Sequence, residues 1–235
     1  FSGFVSALNT KFASEIVYDF RTQKVLMDAE FDIDQSLFEA INLPLPPETL
    51  VGKSTGTVHI EAPKAARVSV DIISDLVGLG LSIPGLNWSK SKDVSGNLIV
   101  SASFEDQLNF ESLSLNANGL SLNGKPVDGL LHAAKGFNIE EFKIDERLIV
   151  SGIVYPNKLL KIEKGYFDAR QFFVFKERNL PSFSKTIPAR IELNRVRLTT
   201  DAILTNFVGN FEIGKEMTGD FSANIGNAAG IKGFI

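Results

Sequence analysis

The sequence predicts a mainly β protein built on an antiparallel sheet, and three observations carry that expectation: period-two alternation, closely spaced turn signals and scarce helix. Leu98, Val100, Ala102 and Phe104 alternate with Asn97, Ile99, Ser101 and Ser103. Ile187, Ala189, Ile191 and Leu193 alternate with Pro188, Arg190, Glu192 and Asn194, and Phe221, Ala223 and Ile225 repeat the pattern. Strands of this kind have one apolar and one polar face, as antiparallel sheets do when one side meets water. The phase slips by one at Asn194-Arg195, where Val196 and Leu198 take over, which reads as a bulge or a tight change of strand.

Turn signals separate these runs. Asn118-Gly119, Asn123-Gly124, Asp128-Gly129, Lys164-Gly165, Ile213-Gly214, Thr218-Gly219 and Gly226-Asn227 punctuate the pattern from residue 94 onward. Asn-Gly and Asp-Gly supply the positive φ angles of two-residue hairpins. The spacing predicts a meander of short strands over 94–235. One short helix is expected near 35–42, capped by Asp34 or Ser36 and stopped by Pro44, Pro46 and Pro47. Residues 75–81 are ambiguous between a short turn and a strand, with Gly78 and Gly80 against a stable helix. The proline cluster marks a weak internal boundary near 44–52, and one continuous segment over 1–235 is expected.

Composition narrows the function classes. A chain of 235 residues with 44% hydrophobic and 22% charged residues is long and apolar enough to bury a core. Its net charge of −4 argues against a nucleic-acid partner, which wants a basic stripe. Nineteen Phe against one Trp and three Tyr put much purely apolar ring surface on sheets. Without Cys there is no thiol chemistry, zinc–thiolate site or disulfide. No run of about 18 apolar residues suggests a spanning helix, and the start at Phe1-Ser2-Gly3 reads as that of a fragment.

Sequence motifs for chemistry fall short. Gly52-Lys53-Ser54-Thr55 resembles the tail of a phosphate-binding loop, but position 47, where such a loop needs Gly, is Pro. Gly78-x-Gly80 lacks the third Gly and the helix of a dinucleotide fingerprint. His59 and His132 have no partner at ligand spacing. Glu140-Glu141 and Asp145-Glu146 alternate with Phe142 and Ile144, as the wet face of a strand does. Phe172, Phe173 and Phe175 read as a strand buried on both sides, or as one with a face toward lipid. No catalytic, cofactor-binding or metal site is expected, and the chain is not expected to be an enzyme.

Two stretches carry a resemblance. Residues 70–90, VDIISDLVGLGLSIPGLNWSK, hold an alternating strand, Ser74-Asp75-Leu76-Val77-Gly78, a second apolar strand, Ile83-Pro84 and then Lys90. Residues 204–211, 219–225 and 230–233 hold the Gly219-Asp220-Phe221-Ser222-Ala223-Asn224-Ile225 hairpin pattern and the following Gly230 and Gly233. Together they resemble the AsmA-like superfamily of YhdP/TamB-type envelope proteins, particularly α-proteobacterial C-terminal regions. The resemblance implies an elongated, twisted sheet forming an open groove lined with apolar side chains. It also implies a periplasmic location, with an inner-membrane anchor outside this chain, and phospholipid passing between inner and outer membranes. The expected partners are phospholipid acyl chains and flanking segments of a larger chain, with membrane contact made outside residues 1–235. The groove candidates are Leu98, Val100, Phe104, Ile191, Leu193, Phe221 and Ile225. The alternative is a scaffolding β-module that binds protein neighbours without lipid, for instance by edge-strand addition.

Overall fold

The computed structural model describes residues 2–7, 10–36, 49–64, 67–83, 86–106, 108–127, 136–155, 159–170, 186–214, 217–226 and 228–234. It is mainly β, with a mixed sheet that stays open, not closed into a barrel, among the described residues. The strands are β1 (Ser2–Ala7), β2 (Thr10–Asp19), β3 (Lys24–Ile33), β4 (Leu50–Gly52), β5 (Ser54–Pro63), β6 (Val68–Ser74), β7 (Leu79–Ile83), β8 (Trp88–Lys90) and β9 (Gly96–Phe104). They continue with β10 (Leu108–Ala117), β11 (Leu120–Pro126), β12 (Phe137–Ile144), β13 (Leu148–Tyr155), β14 (Leu159–Asp168), β15 (Ile187–Arg197), β16 (Ile203–Ile213), β17 (Met217–Ile225) and β18 (Ala228–Phe234). The chain forms two compact units, residues 1–82, 89–118 and 125–132 in the first and 83–88, 119–124 and 133–235 in the second.

In the first unit the strand order is β1-β2-β3-β5-β6-β9-β10, with each neighbouring pair antiparallel. Three short strands, β4-β7-β8, leave this order to make a separate small sheet. Residues facing each other across antiparallel strands share a face, so register defines what each side carries. One row runs Ile16, Met27, Ile60, Val70, Ala102, Phe110, and the next runs Ala29, Val58, Ile72, Val100, Leu113. The opposite face carries Glu15, Asp28, His59, Asp71 and Ser101 in one row. The alternation in β9 thus extends sideways across six strands, apolar on one face and mostly polar on the other.

In the second unit the order is β11-β12-β13-β14-β15-β16-β17-β18. The pairing is mainly antiparallel, as expected, with one parallel pair: β14 and β15, with Leu160 opposite Ala189 and Ile162 opposite Ile191. A parallel pair needs a long crossover, and the residues between Asp168 and Ile187 supply the length. The phase slip at Asn194-Arg195 is not a change of strand, and β15 keeps one register with β14 and β16 across it. β15 continues through it while burial moves from Leu193 to Val196. Register shifts at Ser151/Gly152 between β13 and β14, and at Thr205/Val208 between β16 and β17. Asn194 Oδ1 accepts the Gly165 N–H at 3.0 Å, and Asn206 takes φ +50°, which Asn tolerates. The slip therefore keeps Leu193, Val196 and Leu204 in one core with Val150, Ile162, Ala169 and Ala223.

Helical backbone is present at Gln35-Ser36, where Asp34 Oδ1 accepts both the Ser36 N–H (2.9 Å) and its hydroxyl (2.6 Å). Asp34 is thus the cap of the two proposed; residues 37–42 lie outside the described residues. Asn118-Gly119 is the expected two-residue turn, with φ +44° and +80°. Asn123-Gly124, Lys164-Gly165 and Thr218-Gly219 are not turns but lie within β11, β14 and β17. At Gly219 a Cβ would meet the Asn210 carbonyl oxygen at 2.1 Å and the Phe211 ring at 2.7 Å, so there Gly permits a close approach of backbone and ring. Asp128-Gly129, His132, the proline cluster and Phe172–Phe175 fall outside the described residues.

Candidate functional site

The feature with the most directed geometry is a polar knot in the first unit. Lys90 is 2% exposed, and its ammonium donates to the carbonyls of Leu76 (2.7 Å), Leu79 (2.8 Å) and Ser91 (3.2 Å). Ser74 Oγ donates to Thr55 O (2.8 Å), meets Ser54 Oγ at 3.1 Å and accepts the Leu76 N–H at 3.1 Å. Gly78 donates its N–H to Lys92 O (2.8 Å), and Gly96 donates to Asp75 O (2.6 Å). Leu76 and Gly78 both take positive φ, +57° and +89°. A turn of that shape leaves carbonyls pointing inward, and the three donors of a lysine ammonium satisfy them. Burial pushes the Lys90 pKa down, while the nearby charges of Asp75 and Asp93 act the other way.

What the knot does mechanically is fasten β4, β7 and β8 over one end of the apolar face. Leu50, Leu76 and Leu79 pack with Phe31 and Ile33 there, joined by Val58, Ile72, Leu81, Leu98 and Leu115. Burial falls away from that end. Phe31 and Ile33 are buried, Val58, Ile72 and Val100 are half-buried, and Ile16, Tyr18, Val25 and Phe104 are exposed. An apolar face thus opens from the covered end toward the hairpin ends.

The sequence candidates divide between the units. Leu98, Val100 and Phe104 lie on the apolar face of β9, half-buried at the first two and 46% exposed at Phe104. Ile191 and Phe221 share a row in the second unit through Gly209, and Leu193 faces Phe207 in the next. Ile225 is opposite Leu204, itself opposite Val196, and is 36% exposed. The Phe207 ring stacks on Phe221 at 5.3 Å and on Phe211 at 6.3 Å. These rings lie over the glycines of the same rows, so much of this face is filled by its own side chains.

The remaining motifs resolve into structure. Ser54 of the phosphate-loop lookalike is buried against Ser74, and Lys53 pairs with Asp32 at 2.9 Å. His59 pairs with Asp28 across exposed strands. Glu140 and Glu141 are the exposed residues where β12 slips register against β13. Among the described residues no group of three or more His, Cys, Asp or Glu is placed to hold a metal ion. No helix among them is long and apolar enough to cross a membrane.

One ion pair in the second unit has a pH signature. Arg170 donates from Nε to Asp168 Oδ1 (2.9 Å) and from Nη2 to Oδ2 (2.6 Å). These hydrogen bonds hold the Asp168 carboxyl below its ordinary range, against burial, with the Arg170 N–H and the charges of Arg170 and Arg197 adding to the effect. A depressed carboxylate stabilises the fold above its unfolded pKa of about 3.8 and loses that contribution as pH falls through the folded value. Asp168→Asn is expected to cost about 1 kcal/mol at pH 7, since Arg170 is half-exposed and screened. Urea titrations at several pH values are expected to show the difference from the parent protein vanishing in acid; a constant difference would contradict it.

Comparison with protein-family models finds no match, and neither the curated proteins nor the solved structures give one.

Proposed function

We propose that this chain is a lipid-handling β-module of a periplasmic AsmA-like protein, anchored in the inner membrane by another segment. Its apolar face shields phospholipid acyl chains on their way between inner and outer membranes. The observation that carries the reading is the half-exposed apolar face of the first unit, bounded at one end by the Lys90 knot. From Ala29 to Val25 it offers four residue steps of about 3.4 Å, roughly 14 Å. That is close to half of the roughly 30 Å hydrocarbon core of a bilayer, the depth one acyl chain occupies. Each buried CH₂ contributes about 0.8 kcal/mol, so no catalytic group is required for retention.

The second unit favours a different role. Its stacked Phe207, Phe211 and Phe221 fill much of their own face, which suits a packed module that supports neighbouring segments. Native mass spectrometry of the protein extracted from a Gram-negative envelope is expected to show bound phospholipid. Val100→Asp is expected to abolish that mass increment while leaving a folded chain. A lipid-free spectrum from the unaltered protein would remove the basis for lipid handling and leave the scaffolding role.

A further inference from the structure

The hairpin joining β2 to β3 exposes apolar side chains on both of its faces. Three successive rungs are apolar throughout: Ile16 opposite Met27, Val17 opposite Leu26 and Tyr18 opposite Val25. Ile16, Tyr18 and Val25 are exposed on one face, Val17 and Leu26 on the other. Beyond them, at the turn, Phe20 is 85% exposed with its ring edge-on to Tyr18 at 4.7 Å. The turn is ordered from within: Asp19 Oδ1 accepts the Arg21 N–H (2.8 Å), and its Oδ2 accepts the Thr22 hydroxyl (2.8 Å). The next rung inward, Glu15 opposite Asp28, is charged.

We infer that this hairpin tip inserts into the interfacial layer of a phospholipid bilayer carrying anionic headgroups. A protein partner covers one face of a ribbon, whereas an apolar medium surrounds both, and both faces here are apolar. The three rungs span two steps of about 3.4 Å, roughly 7 Å of apolar ribbon, within the depth to which interfacial elements bury. The amphipathic Tyr18 beside the purely apolar Phe20 suits the headgroup boundary. Three cations gather at the turn beyond the apolar rungs: Arg21, Lys24, which faces Asp19 in the rung that closes the hairpin, and Lys64, whose N–H donates to Gln23 O at 3.2 Å. The carboxylate alongside, Glu61, is neutralised by Lys24, while Arg21 and Lys64 make no ion pair among the described residues and stay available to headgroup phosphates. Ile16, Tyr18 and Val25 belong also to the apolar face proposed for acyl chains, whereas Phe20 and the cations of the turn lie outside it, so Phe20→Ser tests the tip separately from lipid passage.

The test uses the whole chain with Phe20→Trp in a Trp88→Phe background, giving a single tryptophan at the tip. Vesicles of phosphatidylethanolamine and phosphatidylglycerol (3:1) are expected to shift its emission to the blue, and brominated acyl chains to quench it. Phe20→Ser, at a position too exposed to matter for folding, is expected to weaken co-sedimentation about tenfold or more. Unshifted emission on these vesicles would overturn the inference, as would Phe20→Ser binding equal to the parent. A concentration-dependent dimer that Phe20→Ser abolishes, without vesicle binding, would assign the tip to a second copy of the chain instead.

Discussion

Replacing Lys90 by methionine is expected to destabilise the first unit by about 3 kcal/mol. Methionine keeps most of the aliphatic stem, so the change isolates the ammonium from the packing beneath it. Without it the carbonyls of Leu76 and Leu79 lose a buried donor, at about 1–3 kcal/mol each. The opposing effect is relief of the desolvation cost of a buried charge, which makes some buried ions replaceable without loss. The carbonyls decide the balance here, because positive φ fixes the turn that holds them and Leu76 O would keep only its longer bond from the Leu79 N–H, at 3.3 Å. Urea unfolding is the measurement; a methionine variant as stable as the parent would show that desolvation wins. The pH dependence gives an independent check. Burial lowers the folded pKa of Lys90 below its unfolded 10.5, so between the two values the unfolded chain binds more protons. The parent is therefore expected to gain stability relative to Lys90→Met as pH rises through that window.

Gly78→Ala is expected to cost a similar amount, about 3 kcal/mol, for a different reason. Gly78 sits at φ +89°, a conformation that costs a residue with a Cβ about 1–2 kcal/mol. The added Cβ also falls inside van der Waals contact with the Lys53 carbonyl, so backbone has to move. That movement opens the Gly78 N–H bond to Lys92 O. Because both changes strain one knot, the double variant is expected to lose less than the sum of the singles. Strict additivity in the cycle would show that the Leu76–Leu79 turn and the Lys90 ammonium act independently.

Local patterns were legible where one strand's own side chains settle the matter. The alternation over Leu98–Phe104, the slip after Leu193 and the Asn118-Gly119 turn each appear in the structure at the positions where the residues suggest them. Glycines misled where their partner is distant in sequence. Thr218-Gly219 has the look of a turn, yet Gly219 lies within β17, where the Asn210 carbonyl and the Phe211 ring leave no space for a Cβ. Strand direction was illegible for a similar reason, since the alternation in β15 reads the same parallel or antiparallel. Of the small sheet β4-β7-β8 only the apolar middle strand was legible, and Lys90 stood out only as part of the 70–90 pattern, with nothing in the sequence to mark its burial. Its role depends on two carbonyls that a left-handed turn at Leu76 and Gly78 aims at it. Candidate groove residues were visible as alternates in their own strands, but alternation does not tell a half-exposed face from one filled by neighbouring rings.

The most direct measurement places a photo-crosslinking residue at Val100, on the half-exposed apolar face, and separately at Thr57 on the opposite face. In cells of a Gram-negative bacterium carrying labelled phospholipid, the Val100 variant is expected to capture lipid while the Thr57 variant does not. Capture at neither position from a folded protein, or equal capture at both, would contradict the assignment of this face to acyl chains.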